Sequence, residues 1–198
     1  MSHPIRCRCG CLQGSVANVN RANRVICYCR DCQAFAHFLG RSSEILDHQG
    51  GTDIIQTLPK NVSLTQGTEV LACMRLTETG LLRWYTSCCK TPIGNTLPSY
   101  KMSFVGLVHN CLESSEVTLD NSFGRVCSYV HTKSAKGEPK PKPVGLVATI
   151  ARNMARILRA RIDGSYKQTP FFSADSEMPT VNPKLLSDRE YQDVMNEI

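Results

Sequence analysis

The chain has 198 residues, enough for one domain with a sizeable core, and its 41% hydrophobic and 20% charged content with only 13 Gly and 10 Pro excludes global disorder, collagen-like repeats and coiled coil. No run approaches the roughly 18 apolar residues of a bilayer span, and residues 1–20 carry no apolar secretory core, so a soluble cytoplasmic protein with no membrane attachment is expected. The net charge of +6 is unevenly placed: residues 133–167 hold nine Lys and Arg against two acids, a local +7, and the remainder is nearly neutral.

In chain order, short runs rich in β-branched and aromatic residues predict strands at Ser15–Val19, Arg24–Tyr28, Thr52–Thr57, Val62–Thr65, Glu69–Leu76, Leu81–Tyr85, Ser103–His109 and Gly124–Val130. Gly50-Gly51, Gly67 and Thr79-Gly80 punctuate them. A helix is expected from Arg30 to Leu39, stopped by Gly40. The fold class is therefore mainly β, with mostly antiparallel sheets over residues 1–131. Residues 132–143 (TKSAKGEPKPKP) read as a linker, extended by alternating Pro and Lys. Residues 144–198 read as a basic helical extension. In it Val144–Ile162 is a helix whose Leu146, Ile150, Met154 and Ile157 recur at spacings of four, four and three, and Ser187 with Glu190 opens a short last helix through a capping box.

The outlying number is 11 Cys, an odd count that disulfides cannot pair off; clustered thiols in a reducing compartment read as metal ligands or catalytic groups. Cys27-Tyr28-Cys29-Arg30-Asp31-Cys32 is the strongest cluster. Residues two apart on a strand point the same way, so Cys27 and Cys29 share a side and a turn can bring Cys32 to them. Three thiolates suit a zinc ion with a fourth position open for water or substrate; the plainer alternatives are a closed site with a fourth ligand from elsewhere, or three reduced core thiols. Cys7 and Cys9 form a second C-x-C pair that needs another half, and Cys88-Cys89, in the turn before Thr91-Pro92, is the best candidate. Whether both members of that adjacent pair can serve one ion stays open, since neighbouring side chains diverge. Cys11 reads as a bystander, and Cys73, Cys111 and Cys127 as small core hydrophobes.

The ordered motifs CRCG at Cys7–Gly10, CYCRDC at Cys27–Cys32 and CCKTP at Cys88–Pro92 resemble the glutathione-dependent formaldehyde-activating enzyme family, which also includes centromere protein V. The likeness spans about residues 5–110. It implies a β-tent of antiparallel sheets stapled by zinc, a structural zinc on Cys7, Cys9 and Cys89, and a catalytic zinc on Cys27, Cys29 and Cys32. It further implies reversible joining of a glutathione-like thiol with formaldehyde or a related small aldehyde, a carbon–sulfur lyase reaction. Two departures stand out. Thr86 occupies the place of the first cysteine of the family's later C-x-x-C-G, with Lys90 for its Gly, and Tyr28 replaces the His the family carries between its central cysteines.

Asp31 and His37 lie near the central cluster in sequence but read more simply as surface groups, and Trp84 and Tyr85 more simply as core than as pocket lining. Two other functions compete. One is a non-enzymatic zinc-stapled binding module whose Arg152, Arg156, Arg159 and Arg161 contact nucleic acid or a protein partner. The other is redox sensing, in which Cys27, Cys29 and Cys32 release metal and oxidise.

Overall fold

The computed structural model describes residues 1–112 and 117–198. In chain order the elements are β1 (Ser2–Arg6), β2 (Gln13–Ala17), β3 (Asn23–Cys27), α1 (Arg30–Phe38), α2 (Ser42–Ile45), β4 (Thr52–Thr57), β5 (Val62–Gln66), β6 (Leu71–Arg75), β7 (Leu82–Thr86), β8 (Pro92–Thr96) and β9 (Val105–Val108). There follow α3 (Leu119–Phe123), β10 (Ser128–Val130), α4 (Leu146–Ile162), β11 (Lys184–Leu185) and α5 (Asp188–Asn196). The chain is mainly β, as its composition of short β-branched runs predicts.

The strands form a three-stranded sheet, β1-β2-β5, and an eight-stranded sheet, β10-β3-β4-β9-β8-β7-β6-β11. Pairing is antiparallel except at the two edges of the large sheet, where β10 runs parallel to β3 and β11 parallel to β6. Both edges are thus capped by short strands from the later part of the chain, which pair with the ladders of β3 and β6 there. The middle strands β7, β8 and β9 are buried at every position, as expected of a sheet covered on both faces. Along β7 the side chains alternate. Leu82 and Trp84 enter a core shared with Ile5, Leu12 and Val16 of the small-sheet layer, whereas Tyr85 enters a second core with Ala34 and Phe35 of α1.

The C-terminal third is built into both cores. Phe171 is fully buried against Trp84, ring centroids 5.1 Å apart, and Leu186 joins Tyr191, Val194 and Met195 beside α1. The Pro/Lys-rich stretch is pinned as well: Lys136 N–H donates to the Gln49 carbonyl at 2.8 Å, and the Gln33 side-chain amide donates to the Ser134 carbonyl at 3.1 Å. Composition could not show this, because the tethers are single backbone groups rather than apolar side chains.

The sequence reading of α4 is corrected in its facing. Of the four residues placed on one stripe, only Ile157 is buried; Leu146, Ile150 and Met154 are 46%, 52% and 51% exposed, and Val147, Leu158 and Ile162 are also exposed. The inward face instead carries Thr149, Asn153, Ile157 and Ala160. Asn153 holds it through polar contacts, accepting from the Asn23 amide at 2.9 Å and donating to Gln56 at 2.8 Å. Before it, Gly145 adopts φ +73°, and a Cβ there would meet the Cys127 carbonyl at 2.1 Å, so the entry to α4 requires glycine. Three strands escape the sequence pattern. β1 contains Pro4, β11 has only two residues, and β8 opens on Pro92, tolerated at a strand's first residue and beside the register shift at Trp84/Tyr85. No described helix is long and apolar enough to cross a membrane.

Candidate metal centres

Two groups of cysteines converge, and in each the sulfurs lie within 4.8 Å of one another. A tetrahedral metal with thiolate bonds of about 2.3 Å would set its sulfurs about 3.8 Å apart. Both groups are close to that spacing, and all seven donors are thiols, so the residues present fit a thiophilic metal ion.

The first group joins Cys7, Cys9, Cys88 and Cys89. The turn between β1 and β2 closes through Cys7 N–H to the Leu12 carbonyl at 3.0 Å and Gly10 N–H to the Cys7 carbonyl at 2.9 Å, with Gly10 at φ +78°. That turn meets the one after β7, where Lys90 adopts φ 55°. The sulfur separations are 3.5 Å for Cys7–Cys9, 3.4 Å for Cys9–Cys88 and 3.8 Å for Cys88–Cys89. The adjacent pair Cys88-Cys89, left open by the sequence, therefore presents both sulfurs to the same group. Thr86, which stands where the resembled family has cysteine, supports the group instead: its hydroxyl lies 3.3 Å from the Cys89 sulfur and that of Thr91 3.1 Å from it. Burial alone would raise the Cys89 thiol, but these hydroxyl contacts outweigh it and bring Cys89 down to about 5, in favour of the thiolate a metal needs. Cys11 stays exposed outside the group.

The second group is Cys27, Cys29 and Cys32. Cys27 ends β3, Cys29 is the N-cap of α1 and Cys32 lies in its first turn, so one strand-to-helix junction aims three sulfurs at one point. Cys27 lies 3.4 Å from Cys29 and 3.9 Å from Cys32, and Cys27 and Cys32 are buried. Crowding by the other two sulfurs, reinforced by burial, pushes the Cys27 thiol upward. Contact with Cys27 pulls Cys29 down, yet Cys32 and burial prevail and raise it to about 12. Cys32 goes the other way, held well below the usual thiol range by its two neighbouring thiols and, further out, by Arg83. A divalent ion would let all three ionise.

Two contributors have no local sequence signal. Arg83 is 1% exposed in the middle of β7, 3.5 Å from the Asp31 carboxylate, and donates to Asn95 at 3.2 Å. It lies beside the thiols because the strand order carries β7 opposite α1; Asp31, a surface group as the sequence suggests, is its ion-pair partner. His131 is the second: with φ 56° it caps a short turn after β10 and lines the same pocket as the three cysteines. His37 is placed elsewhere, its Nδ1 2.7 Å from Glu197. Tyr28 points its hydroxyl toward Asp47 at 3.4 Å, and burial pushes it up to about 12. Trp84 and Tyr85 are core, and so are Cys73 and Cys111; Cys127 is only half-buried, against Thr149 of α4.

No curated protein matches this chain. A crystal structure of a Rhodobacter sphaeroides protein is similar at a TM-score of 0.40 and 17% identity, over 62% of this chain and 96% of that one. Residues 1–172 match the model of a family of unknown function, DUF6151, and the chain belongs to that family.

Proposed function

We propose that the protein is a zinc-dependent enzyme of the carbon–sulfur lyase type, which promotes reversible addition of a small thiol to formaldehyde or a related small aldehyde. The observation that carries this reading is the convergence of Cys27, Cys29 and Cys32 on one point beside a pocket of about 330 Å³. The likeness of CRCG, CYCRDC and CCKTP to the glutathione-dependent formaldehyde-activating enzymes supports it, and glutathione is the thiol that likeness implies. The same likeness supports a β-tent body in which Cys7, Cys9, Cys88 and Cys89 hold a second, structural zinc.

Cys27, Cys29 and Cys32 would hold the zinc ion, which would supply Lewis acidity that favours an incoming thiol as its thiolate. Arg83 offsets the formal −1 that three thiolates and one divalent ion carry, and Asp31 and Asn95 fix its position. In the addition, the thiol sulfur forms a bond to the carbonyl carbon, the carbonyl π bond opens, and the thiol proton ends on the new hydroxyl. His131 is the group in the pocket that takes and returns that proton, in place of the imidazole that Tyr28 cannot supply. The test is the exchange rate between formaldehyde, a small thiol and their adduct, followed by NMR with zinc-loaded protein. The rate should rise with the protein present and fall to the uncatalysed value with Cys29→Ala. No acceleration with glutathione or with an uncharged thiol overturns the proposal.

A second reading, a non-enzymatic binding module, is favoured by the outward apolar side of α4, where Val147, Met154, Leu158 and Ile162 are exposed beside Arg152 and Arg159. That pattern suits a protein partner better than nucleic acid. If it holds, Leu158→Glu abolishes function while the exchange assay detects none to begin with.

A further inference from the structure

The pocket beside the three thiols has a composition that bears on its ligand. Its apolar wall is made by Ile54, Leu81, Phe104, Val130, Leu146 and Ile150, and Cys27, Cys29 and Cys32 also line it. Three of its polar side chains are already engaged. Asn153 both accepts from Asn23 and donates to Gln56, and Asn95 accepts from the buried Arg83. Among the described residues no Lys, Arg, Asp or Glu lines it.

Glutathione carries two carboxylates and an ammonium group. In this cavity two carboxylates and an ammonium would lose water with the His131 imidazole as the one ionisable nitrogen among the described lining residues, which is costly, whereas an apolar substituent gains by leaving water for the Ile, Leu, Phe and Val wall. Arg83 does not relieve this: it is committed to Asp31 and Asn95 and is not part of the lining.

We infer that the cavity selects an uncharged thiol with an apolar alkyl or aryl substituent over a charged peptide thiol. This rests on the reading that Cys27, Cys29 and Cys32 hold a metal ion which receives the thiol. Leu146 and Ile150, half-exposed on the first turns of α4, edge the mouth and set the preference. Because both are exposed at the surface, they can be changed without disturbing either core.

The experiment uses the full chain loaded with zinc and three probes: benzyl mercaptan, glutathione, and benzyl alcohol, which keeps the ring and lacks the thiol. Dissociation constants come from ligand-observed NMR, and zinc content is measured on each sample. Benzyl mercaptan should bind about tenfold or more tightly than glutathione. Ile150→Lys should narrow that ratio by about tenfold while zinc content stays unchanged, since it supplies the missing cation and removes apolar wall. Glutathione binding equal to or tighter than benzyl mercaptan overturns the inference, as does an unchanged ratio in Ile150→Lys. Saturable benzyl alcohol binding in a chain that takes up no zinc overturns the metal reading and leaves the apolar preference standing. Zinc uptake with no binding of either aromatic probe overturns the apolar preference alone.

Discussion

The guanidinium of Arg83, 1% exposed within β7, reaches the Asp31 carboxylate at 3.5 Å from the first turn of α1, and so ties the sheet to the helix that presents Cys32. A buried cation beside three thiols lowers the cost of ionising them. Arg83→Met is therefore expected to weaken zinc binding at the Cys27, Cys29 and Cys32 group by roughly 10–100-fold, the usual effect of removing a group that supports metal ligands. Competition against a chromophoric chelator measures this. Arg83→Lys should recover part of the loss by restoring charge without the fork that reaches both Asp31 and Asn95.

Phe171 lies beyond the Pro/Lys-rich stretch yet is fully buried against Trp84. Phe171→Ala is expected to cost about 3–5 kcal/mol, the range for truncating a buried aromatic residue. Urea unfolding followed by the fluorescence of Trp84, the single tryptophan, reads the change directly. A loss below about 0.5 kcal/mol would mark residues 166–198 as peripheral to the β body.

Glu190 closes the capping box of α5: its Oε1 is 2.5 Å from the Lys184 amine and its Oε2 accepts from the Ser187 N–H at 2.9 Å. Lys184 foremost, with Ser187, draws its carboxyl down to about 2 from an ordinary 4.5. A folded-state value below the unfolded one means the contribution is present above about pH 4.5 and is lost as pH falls towards 2. Glu190→Gln should lower the urea midpoint above that window, and the difference from the native chain should vanish towards its acid end. A constant difference across the window would show that the side chain acts through packing instead.

The cysteine groups were the most legible part of the molecule, because a thiol two or three residues from another thiol has few other uses and both groupings fall where the motifs sit. Strands such as Thr52–Thr57 were also legible from their β-branched pattern, and the last helix from Ser187 and Glu190. Less legible was whatever depends on strand order. Arg83 belongs to no motif and comes to the site only because β7 is placed opposite α1, and His131 carries no motif at all. The helix α4 was visible by its periodicity, but its facing was not: Asn153 turns inward because Asn23 and Gln56 supply partners from β3 and β4, while Thr149 faces the Cys127 sulfur. Pro92 likewise signalled a turn where a register shift in the neighbouring strand accommodates it as the start of β8.

The central claim is that the two sulfur groups each hold a metal ion, and zinc per chain in protein purified without added metal tests it most directly. The account predicts two zinc ions per chain, with Cys29→Ala and Cys88→Ala each retaining one and the native secondary structure surviving in Cys29→Ala. A chain that folds with no zinc, or variants that both keep two, would contradict it.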